Sequence, residues 1–220
     1  FARIVAGELG IAPEAVEVRH GDTAGLPQGI GALASRSTAI GGSALARAAR
    51  RARDEGGDAT ELYEARGEAW SYGSCLAVLR IDADTGESAI ERLVLADDAG
   101  RIVDPAGAEA QLHGGVAQGL GQAFLERVVY DDAGQLLTGS FVDYAMPRAE
   151  DFPVPLLAHT ETPSPMNELG AKGLGATGCI AVPPAIVNAA LDALGPGAAR
   201  EIDMPLTAEK LWRAINMRNE

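Results

Sequence analysis

Ser35-Arg36-Ser37-Thr38 stands just before an Ala- and Arg-rich helical stretch, and its residue types suit an anion. Hydroxyls, a guanidinium and the free backbone N–H groups of a helix start are all donors. Gln118 and Gln111 lie in a glycine-interrupted stretch, and each amide offers both a donor and an acceptor. Lys172 can either meet an anionic group or orient the loop that carries it. Glu161, Glu168 and Asp143 sit in one irregular region. As carboxylates they are possible general bases, with solvated or loop-fixing roles as the alternative. His113 is a candidate pocket residue on the same terms.

Other patterns carry less. Gly173-Leu-Gly175-Ala-Thr-Gly178 satisfies the spacing GxGxxG, but no buried strand precedes it and the nearest later acid is Asp192. A nicotinamide dinucleotide site needs both. Cys75 and Cys179 form no CxxC pair and no Cys/His cluster, so each is expected to be a buried thiol. No metal ligand set is expected from this chain.

The elements that position these residues can be read from periodicity and breakers. Residues 1–10 predict a helix ended by Gly10, and 16–20 a short strand. A long Gly- and hydroxyl-rich loop over 21–45 passes into a helix near residue 39 that runs to about Arg53. Residues 72–102 predict two or three strands with turns at 84–86 and 98–100, and Pro105 opens a Gly-interrupted helix. Residues 127–137 look like a hairpin. The stretch 138–178 reads as irregular, far longer than an ordinary connection, and such loops are usually functional. An apolar helix over 181–194 is predicted to hold Pro183 and Pro184 in its first turn. A last helix starts at Thr207, with Leu211 and Ile215 on one face. The fold class expected is α+β with two subdomains: a helix-strand-loop-helix part over 1–55, a short linker over 56–70, and a larger part over 71–220.

The 220 residues carry a formal charge of −13, 27 glycines and 12 prolines. That balance argues against a nucleic-acid surface, which needs clustered Lys and Arg. No apolar run reaches the roughly 18 residues of a membrane helix, no secretory signal opens the chain, and cytoplasmic residence is the expectation. Phe1 enters a helix without a capping residue, as a fragment or one chain of a split polypeptide would.

Four ordered segments carry a resemblance. They are GDT…SRSTAIGGSA (21–44), GGVAQGLGQA (114–123), SFVDYAMPRAEDFP (140–153) and HTETPSPMNELGAKGLGATG (159–178). Together they resemble the molybdenum-binding subunits of the xanthine dehydrogenase, aldehyde oxidoreductase and carbon monoxide dehydrogenase family, over nearly the whole chain and at its C-terminal, cofactor-binding part. The resemblance implies molybdenum held by a molybdopterin, in its cytosine dinucleotide form. Partner subunits would carry [2Fe-2S] clusters and FAD, and an N-terminal half of the molybdenum subunit would complete the site. The implied reaction hydroxylates an aldehyde, N-heterocycle or similar small substrate with water as oxygen source. In this frame Ser35, Arg36, Ser37 and Thr38 bind the pterin or its phosphate, Gln118 and, more weakly, Gln111 reach it, and Lys172 meets an anion or steadies the loop. The hydroxyl-rich stretch and Gln118 are expected to converge on one cleft. Dimers of the multi-part protomer are common in the family.

Two departures qualify the resemblance. The family's loop reads Gly-Ala-Lys-Gly-x-Gly-Glu and ends on the catalytic base, whereas this chain has Ala176 there. The stretch 54–70 is much shorter than its family counterpart. Two readings therefore stand: the cofactor-binding portion of a hydroxylase whose base is replaced, or a non-catalytic remnant serving assembly or partner binding.

Overall fold

The computed structural model describes residues 1–25, 31–195 and 202–216, so part of the predicted 21–45 loop lies outside the described residues. Two units share the chain, each gathered from separated stretches. Unit 1 comprises Phe1–Tyr72, Asp98–Glu109 and His159–Gly175; unit 2 comprises Gly73–Asp97, Ala110–Ala158 and Ala176–Glu220.

In unit 1, helix α1 (Ala2–Leu9) closes on Gly10, which takes a left-handed φ of 68° that glycine adopts without strain. Its buried Ile4 and Ala6 pack on α2 (Gly42–Glu55), which buries Gly42, Ser43, Ala46 and Ala49 at helical spacing. Gly42 is small for a reason: a Cβ there would come within 2.8 Å of Ile4 and 2.7 Å of Leu169. One wide π turn, Ser37–Gly41, leads into α2. The strand expected over 16–20 does not form. Pro13–Ala15 make a single 3-10 turn, and the residues after it pair with no strand among the described residues. Alternating apolar residues make a strand only where a ladder partner is available, and Val18 is left exposed. Tyr63, within the stretch read as a linker, is 6% exposed. Its hydroxyl donates to the Met166 carbonyl at 3.1 Å, and the Arg47 guanidinium lies 4.7 Å from its ring centre.

Most of the sheet lies in unit 2. Strands β1 (Tyr72–Ile81), β2 (Ser88–Asp98) and β3 (Leu156–Thr160) pair in the order β1-β2-β3. β3 comes from the region expected to be irregular, and its five residues are too few and too polar at one end to show a period. Helix α3 (Pro105–Phe124) buries Leu112, Val116, Leu120 and Ala123, which recur every three or four residues. Helix α4 (Thr177–Leu194) buries Val182, Ile186 and Ala190 in the same manner. α4 begins four residues earlier than predicted, so Pro183 and Pro184 lie inside it. The prolines cost the helix two donors in its second turn, yet the helix continues because its buried stripe is anchored on both sides of them. By length and composition α4 could also cross a membrane, contrary to the reading of the sequence; a third of it is buried in the fold. Helix α5 (Ala208–Asn216) starts where predicted, with the Thr207 hydroxyl accepting the Lys210 N–H at 3.3 Å and Leu211 fully buried.

Candidate functional site

Within unit 1 the loop that ends at Gly175 is fastened along its length. The Asn167 amide closes its first part. Its Oδ1 accepts the N–H of Leu169 at 3.2 Å and of Ala171 at 3.1 Å, and its Nδ2 donates back to the Ala171 carbonyl at 2.8 Å. Residues 170–172 then pair with the chain just beyond β2: Arg101 donates to Gly170 at 2.9 Å and Lys172 to Ala99 at 2.8 Å. Gly170 and Gly100, both at positive φ, allow the two backbones to meet here.

Lys172, expected at an anion or steadying its loop, is paired with a carboxylate of the chain itself. Its Nζ donates to Asp98 Oδ1 at 3.0 Å and lies 4.6 Å from the centre of the Tyr72 ring. The pair is buried, at 7% and 1% side-chain exposure. Asp98 Oδ1 also accepts the N–H groups of Gly100 and Thr162, and Oδ2 accepts the hydroxyls of Thr160 and Tyr72. Burial alone would push the Asp98 carboxyl up. The donors from Thr162, Gly100 and Lys172 outweigh burial and hold it far below the usual carboxylate range.

Ser35 holds the end of the loop. Ala34 and Ser35 take left-handed φ values of 50° and 54°, a strained choice for residues with a Cβ. In that conformation the Ser35 hydroxyl accepts the N–H of Leu174 at 2.9 Å and of Gly175 at 3.1 Å. Gly173 makes room for it, because a Cβ there would stand 3.0 Å from that of Ser35. Arg36, Ser37 and Thr38 are exposed at the start of the π turn, beside the N–H groups that a helix start leaves open.

The possible substitute bases are engaged elsewhere. Glu168 bridges Arg47 at 2.7 Å and Arg50 at 3.1 Å, and these two guanidinium groups lower its carboxyl below the ordinary value. Glu161 accepts the Ile102 N–H at 3.2 Å, and Asp143 accepts the Ser140 hydroxyl at 2.9 Å. Only the Asp143 contact is local; the Glu161 contact joins segments 59 residues apart.

In unit 2, α3 and α4 cross at glycines. A Cβ on Gly178 would overlap the backbone of Gly115 and Val116, and one on Gly119 would reach 2.9 Å from Val182 Cβ. The crossing brings the start of α4, with Ala176 at its N-cap, against the middle of α3. At 100° per residue, Gln111, Gln118 and Gln122 form one stripe of α3 that flanks this crossing, and all three are exposed. Gln122 was passed over in the sequence, although its spacing from Gln111 and Gln118 is the helical one. It lines a hollow of about 370 Å³ with Cys179, Pro183, Asn188 and Met204. Cys179 Sγ donates to the Ala176 carbonyl at 3.3 Å. Neither cysteine is fully buried, unlike the expectation, and partial burial pushes the Cys75 thiol up. His113 is half-buried on α3. Among the described residues no three His, Cys, Asp or Glu side chains gather as a metal ligand set. Ser35 and Lys172 belong to unit 1 and the glutamine stripe and Ala176 to unit 2.

The comparisons with known proteins bear on both units. A family model described as a molybdopterin cofactor-binding domain matches residues 1–65 and 56–153. The carbon monoxide dehydrogenase large chain of Hydrogenophaga pseudoflava is 28% identical over 271 residues, covering 100% of this chain and 34% of its own length. The 6-hydroxypseudooxynicotine dehydrogenase complex subunit gamma of Paenarthrobacter nicotinovorans is 31% identical over 266 residues, covering 96% of this chain and 33% of its own. Quinoline 2-oxidoreductase from Pseudomonas putida 86 superposes with a TM-score of 0.88 at 29% identity, over 97% of this chain and 34% of that one. The chain thus spans about a third of the length of the relatives it matches. The span aligned with the first relative exceeds the 220 residues present here. The two stretches matched by the family model meet at 56–65, inside the segment read as shortened.

Proposed function

Because the chain belongs to the molybdopterin cofactor-binding domain family of molybdenum hydroxylase large subunits, we propose that it holds part of a molybdopterin site in such an enzyme. The residues fit the group in kind. Arg36, Ser37, Thr38 and the open N–H groups at the π turn are donors for a phosphate. The glutamine stripe offers paired donors and acceptors suited to a pterin edge. The observation that carries the reading is the Gly115–Gly178 crossing, which sets that stripe beside the start of α4. When bound, the cofactor would supply two-electron oxidation with water as oxygen source. The protein's part is to bind, orient and exclude.

The finer expectations belong to the same proposal: a cytosine dinucleotide form, [2Fe-2S] and FAD on partner subunits, a small aldehyde or N-heterocyclic substrate, and a cytoplasmic complex that can dimerise. Completion by the rest of the large subunit is supported by apolar side chains left bare on each unit. Leu62 is 92% exposed and Trp70 74% in unit 1; Phe141 is 84% and Val142 94% in unit 2. In the purified complex, Arg36→Ala and Gln118→Ala should each lower the pterin recovered per chain by about tenfold or more, the worth of a charge-assisted or buried hydrogen bond. Full recovery from both variants would sink this ligand set.

A second reading, a non-catalytic member serving assembly, is favoured by Ala176, whose methyl group can accept no proton. Removing a positioned base costs about 10²–10⁴-fold in rate, and Glu168, the most enclosed of the possible substitutes, is held by Arg47 and Arg50. Ala176→Glu in the complex, followed by dye-linked oxidation, separates the two. A rise of about a hundredfold or more supports a hydroxylase lacking its base, and no rise supports the assembly role.

A further inference from the structure

The fastened loop leads directly into the position where the family carries its base. Its first part is held by Asn167, its middle by the backbone of residues 99–101 and by the Lys172–Asp98 pair, and its end by the side chain of Ser35. The Ser35 hydroxyl oxygen accepts two N–H groups from 139 and 140 residues further along the chain. A hydroxyl oxygen has two lone pairs, so that acceptor capacity is taken up by the loop. The backbone strain at Ala34 and Ser35 has a local use, because the left-handed turn is what presents the hydroxyl to Leu174 and Gly175. Gly173 completes the fit, since any larger residue would press on the Ser35 Cβ.

We propose that Ser35 is a positioning residue, which fixes residues 174–175 and thereby the backbone entering position 176, and that it does not touch the cofactor. The reading rests on the proposed function for the significance of position 176. It divides the Ser-Arg-Ser-Thr run in two: the Ser35 hydroxyl is engaged by the loop, and Arg36, Ser37 and Thr38 remain for the ligand.

The test combines hydrogen exchange of the Leu174 and Gly175 amides with pterin content, in the purified complex, for Ser35→Gly, Ser35→Ala and Ser35→Thr. Glycine relieves the strain and removes the hydroxyl, alanine keeps the strain without the hydroxyl, and threonine keeps the hydroxyl at added strain. Exchange at both amides should rise about tenfold or more in the glycine and alanine variants and return toward wild type with threonine, while pterin content stays at the wild-type level. The proposal is overturned by unchanged exchange in Ser35→Gly, by threonine behaving like alanine, or by pterin loss in the glycine variant. A wild-type complex without pterin would defeat the proposed function, and the exchange measurement would still decide whether Ser35 is the clamp.

Discussion

Asp98 and Lys172 show how a side chain that looks available in a sequence is already committed in the fold. A lysine in a Gly-rich loop reads as a ligand for an anion. Its partner lies 74 residues earlier, and no local pattern announces such a pairing. The pair is buried and surrounded by four further donors to Asp98, so removing one member leaves an unpaired charge. Lys172→Met should destabilise the chain by about 3–5 kcal/mol, measured by urea unfolding. The sign of the acid response follows from the depressed Asp98 carboxyl. An unfolded aspartate titrates near 3.9, so this stabilisation is fully present above about pH 4 and is lost as pH falls toward the folded value. Lys172→Met should also flatten that acid limb. An unchanged limb would assign the acid response to other carboxylates, with Glu168 between Arg47 and Arg50 as the next to examine.

At the level of elements, long periodic segments were legible and short or context-made ones were not. The buried stripe of α3, the left-handed Gly10 after α1 and the Thr207 cap of α5 all leave marks in the sequence itself. The strand expected at 16–20 failed because two alternating valines say nothing about a partner. β3 was missed because its pairing with β2 is a long-range event. The start of α4 was placed too late because prolines usually mark a first turn, and here two of them lie inside. The glycines of 173–178 illustrate the same point. They match a dinucleotide spacing, yet Gly173 makes room for Ser35 and Gly178 for the backbone of α3. Gly178→Ala should therefore cost roughly 1–3 kcal/mol or more through overpacking, seen as a lower thermal midpoint. Gly114→Ala on α3, where a Cβ meets nothing within 4 Å, should be neutral or slightly stabilising through helix propensity. Equal effects at both positions would contradict the close crossing.

For the molecule as a whole, the family was legible because four separated segments occur in one order, and such order survives at identities near 30%. The residues proposed to hold the cofactor rest on the same ordered segments, while the contact of Ser35 with the loop was not legible, since it joins residues more than a hundred positions apart. The large exposed apolar residues of each unit fit a chain that works inside a larger assembly. The account stands on the claim that this chain helps hold a molybdopterin. The most direct measurement is the molybdenum and pterin content of the complex purified with it, by elemental analysis and by the fluorescence of the oxidised pterin released with acid. About one molybdenum and one pterin per chain is the result expected. A complex that is folded, complete in its subunits and free of both would contradict it.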